Sequence, residues 1–288
     1  MTKEVKTPNP RKKLFFGLFV FPLVIAVGMA LLLSLIVFLT KEEETPESLI
    51  KAIKIGAPSK RWQKAFELSN ELNRKETMIR EAGIMKEAIH ILNDRGHYDA
   101  KTRAYIAMAI SKFNDAEAKE ALQNALGQIE EADGPELPIF LMWALGNFKD
   151  PASAKFIAPF TNNKQDDLRK TAAYILGVLG NPKFKPALLK LLEDPVSDVK
   201  WNAALSLARL QDDAGSKVML EMLDRNYLRN VAHMNNAQIE PVMINALRGF
   251  SLIDKKEAAP VLESLSKGDE SLKVRQAALL ALEHKTKL

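Results

Sequence analysis

The stretch DLRKTAAYILGVLGN (Asp167–Asn181) is answered 31 residues later by DVKWNAALSLARLQD (Asp198–Asp212). Few residues are identical, but the apolar positions, the paired alanines and the basic residue near the start recur in register. In the first segment Leu168 is followed by apolar residues eight and eleven positions on, Leu176 and Leu179; in the second, Val199 leads to Leu207 and Leu210. That spacing puts the apolar side chains on one face of a helix. A chain that repeats such a helix at a fixed interval stacks similar units.

The frame extends in both directions. Upstream, Leu137 leads to Leu145 and Phe148, Thr102-Arg103 to Ile110 and Phe113, and, more loosely, Lys60-Arg61 to Leu68 and Leu72. Downstream, Ile239 leads to Leu247 and Phe250, and Val274-Arg275 to Leu282. Seven first helices result, spaced by 42, 35, 31, 31, 40 and 35 residues. The complete frames are followed by a shorter apolar signature, as in Ala187-Leu188…Leu191 and Val218-Met219…Met222, which predicts a second helix. Turn chemistry separates the helices at Asp150-Pro151, Gly180-Asn181-Pro182 and Asp194-Pro195. One such hairpin cannot bury its own apolar face, but a stack can.

Leu168–Asp194 and Asp194–Asp224 together resemble the HEAT-like repeats of the phycobilisome-lyase type. The resemblance covers about residues 58–288 and implies an all-α solenoid of about six to seven helical hairpins. It also implies a scaffold that binds protein, since folds of this kind host many functions. Pro138 and Glu240 stand where the frame has its basic second residue, so an Asp–Arg ladder between repeats is expected to break there.

Ahead of the repeats, residues 14–39 (LFFGLFVFPLVIAVGMALLLSLIVFL) carry no charged side chain. About 20 apolar residues cross a bilayer as a helix. A cleaved signal peptide would have a shorter apolar run and a small-x-small site, so an uncleaved single-pass transmembrane helix is expected. Five Lys/Arg precede it within 13 residues and three follow it in KEEETPESLIKAIK. By the positive-inside rule the N-terminus is then cytoplasmic and the repeat domain periplasmic or otherwise extracytoplasmic. The layout suggests a cell inner membrane. The expected organisation is a basic tail (1–13), the membrane helix (14–39), a juxtamembrane linker with a short helix (40–57) and the repeat domain (58–288). Ala26, Ala30 and Ser34 form a small-residue stripe that permits a homodimer through the membrane helix.

Composition narrows the chemistry. Of the formal charge of +5, Lys3, Lys6, Arg11, Lys12 and Lys13 with Glu4 supply +4, leaving +1 for the rest. No concentrated basic stripe for nucleic acid is visible. There is no cysteine, which excludes disulfides, thiolate catalysis and Cys-type zinc sites. His90 and His97 lie near Asp94 and Asp99 without the spacing of a metal-ligand set. No phosphate loop or nucleophile elbow is present. The expectation is therefore no catalytic residue, no metal and no cofactor: a membrane-anchored scaffold that recruits a protein partner. A lyase-type enzyme or enzyme accessory using the same groove is the alternative.

Candidate partner-binding residues follow from two features. Lys185, Leu189 and Leu220 fall on the open face of the second helices, which are expected to line the concave surface, the two leucines at equivalent repeat positions. Asp224–Gln238 is nine residues longer than the equivalent link Glu193–Asp198, and it carries Arg225, Tyr227, Arg229 and His233. It reads either as an extra helical turn packing down Tyr227 and Leu228, or as a contact loop on a rigid scaffold.

Overall fold

The computed structural model describes residues 15–40, 45–74, 82–230, 233–253 and 256–284. It separates into two compact units, Met1–Thr45 and Pro46–Leu288. The basic tail expected at 1–13 lies outside the described residues.

In the first unit a π-helical turn, Phe16–Val20, runs into helix α1 (Phe21–Thr40). Phe16–Ile36 is 21 residues long and apolar enough to cross a membrane. At about 1.5 Å per residue it spans about 31 Å, the thickness of a hydrocarbon core. Ala26, Ala30 and Ser34 are exposed on it.

Every element described in the second unit is helical. It opens with α2 (Pro46–Ile55), then α3 (Pro58–Arg74), α4 (Ala82–Asn93), α5 (Ala100–Ile110), α6 (Ala116–Gly127), α7 (Glu136–Asn147) and α8 (Ala154–Ile157). It continues through α9 (Asp166–Leu179), α10 (Lys185–Leu191), α11 (Ser197–Arg209), α12 (Ser216–Glu221) and α13 (Arg225–Asn230). The last three are α14 (Asn236–Phe250), α15 (Ala259–Gly268) and α16 (Leu272–His284). All seven expected first helices are present, as α3, α5, α7, α9, α11, α14 and α16. Helix α2, expected in the linker, instead buries Leu49, Ile50 and Ile53 and packs on α3, so this body begins at Pro46.

Four hairpin turns share one local solution. Each first helix ends on a left-handed residue, Asn114 (φ 49°), Lys149 (φ 51°), Gly180 (φ 69°) or Gln211 (φ 55°). The next residue is Asp115, Asp150, Asn181 or Asp212, whose side-chain oxygen accepts from the N–H two residues on. The left-handed residue reverses the chain, and the Asx oxygen satisfies a donor left open at the start of the second helix. Three of the four second helices begin with 3-10 turns, at Pro151–Ser153, Pro182–Phe184 and Asp213–Gly215.

The long first helices pack against one another along the array, whereas the second helices meet each other sparingly. Small residues allow this approach. A Cβ on Gly146 of α7 would lie 2.9 Å from Ile175 Cδ1 of α9, and one on Gly177 of α9 would collide with Ser206 of α11. Ala172, Ala173, Ala203 and Ala204 are fully buried in the same layer. The closer-packed layer is thus that of the first helices rather than that of the second helices, which were expected to line the concave surface. The core runs unbroken through α11, which gives Val199, Ala203 and Leu207 to the preceding repeats and Trp201, Ala204 and Ala208 to the following ones.

Candidate functional site

Ties between repeats account for several charges that sequence alone leaves unassigned. Arg169, the second residue of its frame, donates from Nε and Nη2 to Asp194 at 2.7 and 3.0 Å. Asp194 in turn accepts from the Val196 N–H at 2.9 Å, holding the turn into α11. The Arg169 hydrogen bonds keep the Asp194 carboxyl below the usual carboxylate range despite its burial. Arg103 reaches Leu92 O at 2.7 Å and Asp133 at 2.8 Å, with Arg95 on the other Asp133 oxygen at 3.2 Å.

At Pro138 the ladder breaks as expected, and no charge is stranded there. The residue facing that junction is Asn163, whose Oδ1 accepts from the Gln165 N–H at 2.9 Å. A cleft of about 720 Å³ opens beside it, lined in part by Ile129, Pro138, Lys155, Phe156 and Phe160. At Glu240 the expected break is corrected. Arg225 of α13 takes the missing position and grips Asp269 from Nε and Nη2 at 2.8 and 2.7 Å. Glu240 accepts instead from Ser271 Oγ at 2.6 Å and Lys273 Nζ at 2.9 Å.

The insertion is thus partly structural. Its middle folds as α13, Leu228 is fully buried, and Tyr227 is half-buried against the C-terminal part of the core. Arg225 is committed to Asp269 and Glu270, and Arg229 contacts Glu270 at 3.3 Å and Asn236 Oδ1 at 2.9 Å. His233 is exposed in a left-handed conformation (φ 52°). Of the three second-helix candidates, Lys185 pairs with Asp212 at 3.1 Å, Leu189 is 40% exposed, and Leu220 is half-buried against the core. The two leucines are therefore unequal in exposure, although their repeat positions match. His97 Nδ1 lies 2.9 Å from Asp94 Oδ2, and Asp99 caps α5 through the Thr102 N–H.

The surface that sequence reasoning missed lies on the first helices. Trp62 and Phe66 of α3 meet Tyr105 of α5 at centroid distances of 6.0 and 5.4 Å, and Tyr105 meets Phe140 of α7 at 5.1 Å. One turn along α7, Trp143 meets Tyr174 of α9 at 5.0 Å. Cations close the run at both ends: Lys101 Nζ sits 3.8 Å from the Trp62 ring centre, and the Arg209 guanidinium of α11 sits 4.8 Å from that of Tyr174. Phe66 and Trp143 are 45% and 41% exposed, and the other rings are half-buried. A legible signal was present, because the fourth and seventh frame positions carry Tyr105, Phe140, Trp143 and Tyr174. Those positions are passed over when only the core face of each helix is followed.

Comparison with known proteins agrees with this architecture. Residues 156–235 match the family described as HEAT repeats. Phycocyanobilin lyase subunit alpha of Nostoc sp. is 26% identical over 148 residues, 48% of this chain and 53% of that protein. The chain therefore spans about half the length of the curated relative it matches. Among solved structures, the complex of CpcE and CpcF of phycocyanin lyase from Nostoc sp. superposes with a TM-score of 0.55 at 17% identity. It covers 85% of this chain and 96% of that one. The body of this protein is an all-helical, HEAT-like repeat solenoid, similar in fold to phycocyanin lyase subunits.

Proposed function

We propose that the protein is a membrane-anchored adaptor that recruits a protein partner onto the first-helix face of its repeat body. The observation that carries this reading is the contiguous aromatic surface from Trp62 to Tyr174, shared by four successive first helices. Contiguous exposed apolar surface of this kind marks interaction sites, and rings are favoured as anchors of protein interfaces. The apolar helix Phe16–Ile36 would hold the chain in a membrane. Ala26, Ala30 and Ser34 give that helix a narrow face for a second copy. With five Lys/Arg before the helix, the repeat body faces away from the cytoplasm. Leu189 of α10, with Arg229 and His233 of the insertion, extends the candidate contact area beyond the first helices.

A lyase-type enzyme accessory is the second reading, favoured by the likeness to phycocyanobilin lyase subunit alpha. The two readings separate in one experiment. A photo-crosslinking residue at position 143, introduced into the full chain in native membranes, is expected to capture a discrete protein band. The same residue at Lys170, whose side chain pairs with Asp167, should capture less. Absence of any protein adduct at position 143 would sink the adaptor reading, and co-purification of a chromophore would favour the second. Orientation is read separately, by a C-terminal reporter active only after export.

A further inference from the structure

The aromatic stripe carries more information than that something binds there. It crosses α3, α5, α7 and α9 and ends on Arg209 of α11, so it spans four helix-to-helix intervals. At about 8–10 Å per interval the track is about 32–40 Å long. An extended polypeptide at about 3.3 Å per residue covers that length with about 10–12 residues. A compact small molecule would touch only one or two of these intervals.

Charge on the track has a single sign. The positions three, six and ten residues into the frames of α5, α7, α9 and α11 read Tyr105, Met108, Lys112; Phe140, Trp143, Asn147; Thr171, Tyr174, Val178; and Asn202, Leu205, Arg209, and all but the buried Thr171 are at least partly exposed. No carboxylate is among them. Lys101 and Arg209 lie against rings and form no ion pair among the described residues. Several cations elsewhere on the body pair with carboxylates, among them Lys54 with Glu87, Lys119 with Asp150, Lys185 with Asp212 and Arg225 with Asp269. Two cations thus lie against the rings at the ends of the track, Trp62 and Tyr174.

We propose that this track binds an extended, acidic polypeptide segment of about 10–12 residues whose apolar side chains sit on the rings, between Lys101 and Arg209. The inference rests on the protein-binding reading and assigns it a site and a partner chemistry. Rings at Phe66, Phe140 and Trp143 supply apolar contact, and the flanking cations set the sign of the segment.

The test uses the full chain in lipid nanodiscs and fluorescence anisotropy of three labelled peptides, each of about 12 residues. One repeats Asp-Phe-Glu-Leu, the second replaces its acids by Lys, and the third keeps the acids but replaces Phe and Leu by Ser. Empty nanodiscs are the blank. The first peptide is expected to bind at least about tenfold more tightly than either other. Trp143→Ala and Arg209→Glu should each weaken it by about tenfold or more, while Lys190→Glu, on an exposed second-helix position, leaves it unchanged. Arg209 is exposed, so its variant keeps the test valid if Trp143→Ala folds poorly; thermal melts check both. Equal binding of the basic peptide, or unaltered binding by Arg209→Glu, overturns the proposal. If the crosslinker at position 143 still captures its partner in membranes in a chain that also carries Arg209→Glu, the track falls and the adaptor reading stands. If the first peptide binds as expected but membranes yield no adduct, the track stands and the adaptor reading falls.

Discussion

Arg225 and Asp269, 44 residues apart, form a two-pronged pair at 2.7 and 2.8 Å in which the aspartate side chain is 2% exposed. It reproduces the pairing of Arg169 with Asp194, although the arginine comes from a different helix. In both cases the aspartate also holds the turn ahead of the next first helix, through the N–H of Val196 or of Ser271. The inserted turn α13 thus joins the last two hairpins while Glu240 occupies the position where the frame places a base.

Removing the arginine would leave the Asp269 carboxylate buried and unpaired. Arg225→Ala is therefore expected to cost about 3–5 kcal/mol, measured by denaturant unfolding of the chain. Arg229→Ala removes only exposed contacts, with Glu270 and Asn236, and should stay within about 1 kcal/mol. Equal effects from the two variants would show that the insertion does not tie the hairpins together.

Acid sensitivity follows from the same pairs. Asp194 is held low chiefly by the Arg169 hydrogen bonds. For Asp269 burial pushes upward, but the Arg225 and Ser271 hydrogen bonds outweigh it, and the carboxyl is also lowered. A lowered folded value means that the stabilisation is present above the unfolded carboxylate value, about 3.9, and is lost as pH falls through the folded value. The partner arginines are raised further from an already strongly basic value, so they add no pH dependence in the accessible range. Thermal melts should therefore fall steeply below about pH 4. Asp194→Asn should lower the melting temperature at pH 7 and flatten that fall; an unchanged slope would count against the pairing.

The left-handed turn residues offer a test in the opposite direction. Gln211 and Lys149 adopt φ values of 55° and 51° with full side chains, whereas Gly180 has φ 69° without one. A left-handed residue with a Cβ costs about 1–2 kcal/mol, part of which glycine returns to unfolded-chain entropy. Gln211→Gly is expected to stabilise by about 0.5–1 kcal/mol, and Gly180→Ala to destabilise by about 1 kcal/mol. Space around Gly180 is open, so the second effect isolates backbone strain. Melting temperatures that move together would show that these turns do not share a conformation.

Local rules carried much of this protein. Helical periodicity set the seven first helices, and Asp150-Pro151 and Gly180-Asn181-Pro182 marked their turns, because spacing along one helix face and turn chemistry act over a few residues. The apolar stretch that includes Phe16–Ile36 was likewise readable from composition alone. Tertiary structure decided what depends on contacts between distant residues. It assigned Arg225 to Asp269, drew α2 into the repeat body, and half-buried Leu220 while leaving Leu189 exposed. It also made one surface of Trp62, Phe66, Tyr105, Phe140, Trp143 and Tyr174. Each ring sits at an unremarkable position of its own helix. Only the close nesting of first helix on first helix, permitted by Gly146, Gly177 and the buried alanine pairs, brings rings of neighbouring hairpins within about 5–6 Å of each other along four hairpins.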